Sequence, residues 1–336
     1  MTARTPLLLL LLACLAIPLG ASAETPAAPV AIAIHAGAGT IQREDLDPEK
    51  EAEIRAKLEE AVRAGHGVLT TGGSALDAVT LAVTLLEDAP YFNAGRGAVF
   101  NAEGVNELDA SIMDGATLNA GAVAGVHNVR NPVLLARKVM TESVHVMLIG
   151  EGAEAFAREH GIAFEADEYF YTDYRWRQLE KARSRDSALH GAATPDTWLS
   201  TVGAVALDAN GDLAAATSTG GMTNKRWGRV GDVPVIGAGT YADNASCAVS
   251  ATGHGEYFIR ATVARDICAR VQYTGASLQE AADQVVMQKL VEMGGTGGII
   301  ALDPRGRISL TFNTPGMYRA SVDPAGEIFV GIYNDE

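Results

Sequence analysis

Ser200-Thr201-Val202-Gly203-Ala204-Val205-Ala206-Leu207-Asp208 is followed by Ala209-Asn210-Gly211-Asp212 and then by Leu213-Ala214-Ala215-Ala216-Thr217-Ser218-Thr219-Gly220-Gly221. Small and β-branched residues run into Asn210-Gly211, the strongest short signal for a hairpin turn, and out again into a second run of the same kind. The pattern predicts two paired, buried strands with Thr201 at the start of the first. Alone, it reads more readily as a core hairpin than as a catalytic one. Two clusters downstream change the balance: Gly228-Arg229-Val230-Gly231-Asp232 and Thr252-Gly253-His254-Gly255-Glu256, each polar and bounded by glycine. They read as parts of one site.

Working outward, a chain of 336 residues with 48% hydrophobic content has enough apolar material for a large core and is not disordered. The first residues run from a basic start at Arg4 through an apolar stretch over 7–17 to Ala21-Ser22-Ala23, the form of a secretory signal cut after Ala23. Pro18 and Gly20 interrupt the run short of the roughly 20 residues that a membrane-spanning helix needs. Leu11-Leu12-Ala13-Cys14 keeps lipidation at Cys14 open as a lesser alternative. The expected location is therefore outside the cytoplasm, in the periplasm. Without residues 1–23 the chain carries 25 basic and 41 acidic residues, a balance that argues against nucleic acid and anionic membranes as partners. Of the remaining cysteines, Cys247 and Cys268, a disulfide is permitted but not implied; two buried thiols are the expectation.

In chain order, 30–34 predicts a central strand ending at His35-Ala36-Gly37-Ala38-Gly39. A dinucleotide loop is not supported there, because no third glycine and no helix pattern follow. His35 reads as a hydrogen-bonded structural residue. Asp47-Pro48 opens one helix and Ser74 caps a second, the pair covering one face of a sheet. Strands are expected over 108–114 and 120–126, with Asp109 as a candidate buried polar brace, followed by a helix over 133–140, a buried strand over 144–149 and a helix over 151–160. Residues 176–200 lose apolar periodicity and read as a labile linker just upstream of Thr201. Beyond the hairpin come a helical pattern over 256–271, a capping box at Ser277 and Glu280 opening a helix to 293, and strands over 297–302 and 308–312. Pattern alone gives an α+β fold.

Ile34-His35-Ala36-Gly37-Ala38-Gly39, 92–100, 108–115, 201–208, 216–221, 228–232 and Gly295-Thr296-Gly297-Gly298 together resemble the plant-type asparaginase and isoaspartyl aminopeptidase family of N-terminal-nucleophile hydrolases. The resemblance spans nearly all of the chain after the leader. It implies a four-layer αββα sandwich, autocatalytic cleavage between Ser200 and Thr201, and two subunits of 24–200 and 201–336 that assemble as a homodimer of cleaved protomers. Where the family commonly has glycine before the nucleophile, Ser200 stands here, which puts the rate of cleavage in doubt.

The chemistry of such a site is readable. A threonine hydroxyl is a weak nucleophile, but at a chain's amino terminus it carries its own base, an α-amine titrating at about 7.7 to 8.0. The resemblance implies Thr219 beside the Thr201 hydroxyl, Thr252 and the N–H of Gly253 as oxyanion donors, and Asn93 ordering the neighbourhood. It also implies Arg229 on a substrate carboxylate and Asp232 on its ammonium, with Val230, Gly231, His254 and Gly255 lining the pocket. A structural sodium ion held by carbonyls of the loop over 86–96 is implied as well; no cofactor and no metal is expected for catalysis. Bland readings stay open: a turn-forming Asn93, a surface ion pair of Arg229 with Asp232, a plain turn at Thr252 and Gly253. Neither a Gly-x-Ser-x-Gly nor a His-Glu-x-x-His motif is present. The expected activity is hydrolysis of β-aspartyl dipeptides and L-asparagine through an ester on Thr201. A glycosylasparaginase is the nearest alternative, and an uncleaved protein that only binds aspartate-like amino acids the alternative of another class.

Overall fold

The computed structural model of the chain describes residues 28–188 and 201–336. The leader with Cys14, and residues 189–200 with Ser200, lie outside the described residues. Twelve strands are described: β1 Ala31–Gly39, β2 Leu108–Asp114, β3 Ala120–Val126, β4 Met147–Ile149, β5 Val202–Leu207, β6 Leu213–Thr219, β7 Thr240–Ala242, β8 Ala248–Gly253, β9 Gly297–Leu302, β10 Ile308–Phe312, β11 Gly316–Val322 and β12 Ile328–Tyr333. The helices are α1 Pro48–Thr70, α2 Ala75–Glu87, α3 Pro132–Glu142, α4 Gly150–Glu159, α5 Asp167–Phe170, α6 Asp173–Ala188, α7 Gly255–Ala261, α8 Val263–Thr274, α9 Leu278–Asp283 and α10 Leu290–Met293.

The strands form one eight-stranded sheet, ordered β12-β11-β1-β5-β6-β2-β3-β4, and one four-stranded sheet, ordered β10-β9-β8-β7. The hairpin β5-β6 thus occupies the centre of the larger sheet, paired from Val202 opposite Ser218 to Leu207 opposite Leu213. Its alternation sorts side chains to two faces. Val202, Ala204, Ala206, Ala214 and Ala216 join α1, α2 and α3 in one apolar cluster. Val205, Leu207, Leu213 and Ala215 join residues of the smaller sheet, Ala248, Ile300 and Leu302, in a second. A third cluster lies between the smaller sheet and α7, α8 and α9. Small residues permit this close layering. At Gly203 a Cβ would lie 1.9 Å from Ser250 Oγ of the opposing sheet.

Local signals are obeyed where they are strong. Asp47 accepts from Lys50 N–H at 2.9 Å to cap α1, Ser74 accepts from Asp77 N–H at 3.1 Å to cap α2, and the capping box of Ser277 and Glu280 opens α9. Asp208 takes the N–H of Ala75 at 2.9 Å and so ties the end of β5 to the start of α2.

Four expectations need correction. The stretch over 144–149 is not a buried strand. Only Met147–Ile149 is extended, at the edge of the large sheet beside β3, with Val144 95% and Ile149 66% exposed. A short apolar run carries no mark of whether both of its sides will be covered. The linker begins later than 176, because residues up to 188 continue α6. That helix is docked by buried Leu179 and Ala182 and by two anchors: buried Arg175 donates to Gly97 O at 2.8 Å, and Trp176 meets Phe100 edge-on at 5.3 Å. The helical pattern over 256–271 is two helices, α7 and α8, broken at Thr262, which takes a left-handed conformation with φ 49°. Finally, Cys247 and Cys268 are not thiols but a disulfide, with Cα atoms 5.3 Å apart. It joins the start of β8 to α8, and spacing in the chain gave no hint of that approach.

Candidate active site

Thr201 precedes β5 and lies beside Thr219, the last residue of β6. Its hydroxyl donates to Thr219 Oγ1 at 3.1 Å, and Thr219 Oγ1 also accepts the N–H of Gly221 at 3.0 Å. Asn93 fixes the turn that makes this possible. Its side-chain carbonyl accepts from Val99 N–H at 2.9 Å while its amide donates to Gly221 O at 2.7 Å. At Gly220 a Cβ would come within 2.5 Å of that side chain, so the approach of the loop depends on glycine. Asn93 is therefore a bridge between two loops rather than a local turn former.

The smaller sheet supplies the facing wall. Thr252 is buried and its hydroxyl receives the N–H of Ala38 from β1 at 3.4 Å. Gly253 has φ 144°, and a Cβ there would lie 2.4 Å from Thr296 O. This backbone conformation is open to glycine and strained for other residues.

Arg229 and Asp232 are not a surface ion pair. Asp232 is 5% exposed, and Arg229 is paired instead with Glu256, Nε to Oε1 at 2.9 Å and Nη2 to Oε2 at 3.0 Å. Gly255 packs so closely that a Cβ would meet Asp232 Oδ1 at 2.7 Å and Arg229 Nη2 at 2.9 Å, which brings 229, 232 and 254–256 into one cluster. His254 Nε2 stands 3.5 Å from Glu256 Oε2, and burial lowers its pKa. Val230 is 38% exposed at the rim, and Gly231 lies under the Arg229 guanidinium.

Burial pushes the Asp232 carboxyl up to about 7; Arg229 pulls it down, and Glu256 and Asp109 push it further up. Its Oδ2 is buried with no hydrogen-bond partner among the described residues. A buried carboxylate with one unpartnered oxygen next to a guanidinium is an arrangement that a zwitterionic amino-acid head would complete.

Lys225 was not singled out as a site residue by the sequence, and Glu256 was read only as the end of a polar cluster, with no role of its own. Lys225 is 2% exposed under Gly221 and donates to Glu107 O at 3.0 Å. Only its place in the Gly-rich stretch after Thr219 could have pointed to it. His35 is structural as expected: it is wholly buried, its Nε2 lies 2.8 Å from Ser250 Oγ, and burial lowers its pKa to about 3. Among the described residues, no group of three or more His, Cys, Asp or Glu is placed to hold a metal ion.

A family model described as asparaginase matches residues 28–331. The chain is 54% identical over 309 residues to an isoaspartyl peptidase of Escherichia coli, spanning 91% of this chain and 96% of that protein. It is 43% identical over 322 residues to a putative isoaspartyl peptidase/L-asparaginase of Dictyostelium discoideum, spanning 87% and 92%. With a probable isoaspartyl peptidase/L-asparaginase 2 of Arabidopsis thaliana it shares 41% identity over 325 residues, spanning 90% and 98%.

Proposed function

The chain belongs to the asparaginase family of N-terminal-nucleophile hydrolases, and on that premise we propose that it hydrolyses β-aspartyl dipeptides and the side-chain amide of L-asparagine with Thr201 as nucleophile. The observation that carries this is the Thr201 hydroxyl, placed at the head of a central strand and donating to Thr219 at 3.1 Å. Cleavage before Thr201 supplies the missing base, its own α-amine. The hydroxyl then attacks the substrate's β-carbonyl, and the oxygen that gains charge is met by the Thr252 hydroxyl and the Gly253 N–H, donors typically worth about 3 kcal/mol each. The amine or ammonia leaves with a proton, and water releases aspartate from the ester.

Arg229 and Asp232 bind the head of the substrate, its carboxylate competing with Glu256 for the guanidinium and its ammonium taking the free Oδ2 of Asp232. The relatives' names favour isoaspartyl peptidase over glycosylasparaginase, and hydrolysis over binding alone. The three apolar clusters support a four-layer αββα sandwich. The sodium ion of the resemblance belongs to the same reading; the loop over 86–96 is tightly packed, a Cβ at Gly95 lying 2.5 Å from Glu87 O, while Phe92 O already accepts the N–H of Ala94 at 3.0 Å. Carbonyls of that loop would hold the ion, whose contribution is to stiffen the loop that carries Asn93. The leader and the buried disulfide together support export to the periplasm. Assembly as a homodimer of cleaved protomers remains part of the same reading.

Intact-mass and amino-terminal analysis of the mature protein tests it. Two chains, one beginning at Thr201, together with turnover of an isoaspartyl dipeptide, are expected; an uncut wild-type chain that still turns over substrate would remove Thr201 from its role.

A further inference from the structure

Gly253, whose N–H is one of the two proposed oxyanion donors, has no side chain to fix it and a backbone with φ 144° that suits glycine. The start of β9 holds it instead. In the ladder Gly253 stands opposite Gly297, and the two glycines meet back to back. A Cβ at 253 would lie 2.4 Å from Thr296 O and 2.6 Å from the Gly297 Cα; one at 297, where φ is 152°, would lie 2.3 Å from Thr252 O. The next N–H along the chain, that of His254, donates to Thr296 O at 2.9 Å. Where the Gly253 N–H points is therefore set by where 295–297 lies.

Asn313, directly after β10, grips that segment. Its backbone N–H donates to Gly297 O at 2.9 Å, its Oδ1 accepts the Gly297 N–H at 2.8 Å, and its Nδ2 donates to Gly295 O at 3.2 Å. Nδ2 also donates to Val286 O at 3.0 Å, in the π-helical turn Gln284–Lys289 between α9 and α10. Such turns are rare and frequently lie at functional sites. One acceptor facing an N–H and two donors facing carbonyls is the hydrogen-bond set of a primary amide; a carboxylate has no donor for the carbonyls.

We propose that Asn313 is a positioning residue for the oxyanion site: by fastening Gly295 and Gly297 to the π-helical turn, it holds the strand end that aims the Gly253 N–H. The proposal rests on the reading of Thr252 and Gly253 as oxyanion donors and extends it to a residue that touches no reacting atom. The head-group site is held separately, by the pairing of Arg229 with Glu256 at 2.9 and 3.0 Å. A loosened strand end therefore weakens stabilisation of the transition state more than binding of the substrate.

Asn313→Ala and Asn313→Asp are made in the full-length protein beside wild type and Thr252→Val. Alanine removes every side-chain bond, whereas aspartate keeps the acceptor for Gly297 N–H and loses both donors. Cleavage, melting temperature, kcat and KM for an isoaspartyl dipeptide, and the inhibition constant of L-aspartate are measured, with rates normalised to processed chain. The expected result is a fall in kcat of about tenfold or more for alanine and of at least about threefold for aspartate, with KM and the inhibition constant within about threefold of wild type. A kcat within about twofold of wild type in both variants overturns the proposal, as does a loss of kcat matched by an equal loss of aspartate binding, the mark of general loosening. If the alanine variant does not fold, the aspartate variant decides by the same split between kcat and binding. An undiminished kcat in Thr252→Val would instead overturn the oxyanion reading itself, so the two failures are told apart.

Discussion

Two polar regions lie close to the hairpin, and they are built on opposite terms. One is a run of neutral groups through the core: His35, Ser250, Thr217, Thr240 and Ser111, linked at 2.8, 2.7, 2.6 and 2.7 Å and ending on Val233 O. Each hydroxyl there has a partner within the protein. The other is the charged cluster of Asp109, Asp232, Arg229 and Glu256, in which two buried carboxylate oxygens have no hydrogen-bond partner among the described residues. The neutral run leaves one ring nitrogen, His35 Nδ1, without a partner among the described residues but carries no charge, whereas buried charge left partly unpaired is costly to keep unless a ligand completes it. The first region should therefore answer to mutation in stability and the second in activity.

The largest effect expected is at Thr201, the proposed nucleophile. Thr201→Ala should leave the chain uncut and lower turnover by at least about a thousandfold, with its melting temperature near that of unprocessed wild type. Next is the head-group site. Arg229→Lys keeps the charge but loses the paired hydrogen bonds, and kcat/KM should fall by about 10- to 100-fold, which steady-state kinetics would register. The pH profile sharpens the same contrast. With Asp232 in its proposed role on the substrate ammonium, recognition needs it ionised, so kcat/KM should decline as pH falls through about 7, the value to which burial pushes this carboxyl. In the neutral network, Ser250→Ala should cost about 1 to 3 kcal/mol in denaturant unfolding and leave kcat nearly unchanged, since it strips partners from His35 and Thr217. A large loss of kcat there would erase the distinction between the regions.

The same contrast explains what could be read from the chain. The hairpin that begins at Thr201 and ends at Thr219 was legible because strand periodicity and Asn210-Gly211 are local signals, whereas the roles of the two threonines came from the family resemblance. Gly253 and Gly220 were legible as glycines in motifs, though their reasons, a φ of 144° at one and an Asn93 contact at the other, belong to tertiary structure. The partner of Arg229 was not legible. Asp232 lies three residues away and suggested itself, but Glu256, 27 residues on, is the ion pair that forms. The disulfide and the docking of α6 escaped for a related cause: both depend on contacts between segments whose approach no local pattern encodes. The edge strand β4 shows the converse, an apolar run that the fold leaves uncovered.

The strand order of the large sheet has a consequence for the cut molecule. Once the bond before Thr201 is broken, β12 and β11 belong to one polypeptide, β1 to the other, β5 and β6 to the first again, and β2, β3 and β4 to the second. Neither piece can leave without tearing ladder hydrogen bonds along the edges of the other. Unfolding then becomes dissociation of two interleaved chains, so the midpoint should rise with protein concentration and renaturation should follow second-order kinetics. A precursor would fold as a unimolecular event; a cleaved enzyme, having used that route once, would be left to persist rather than to refold.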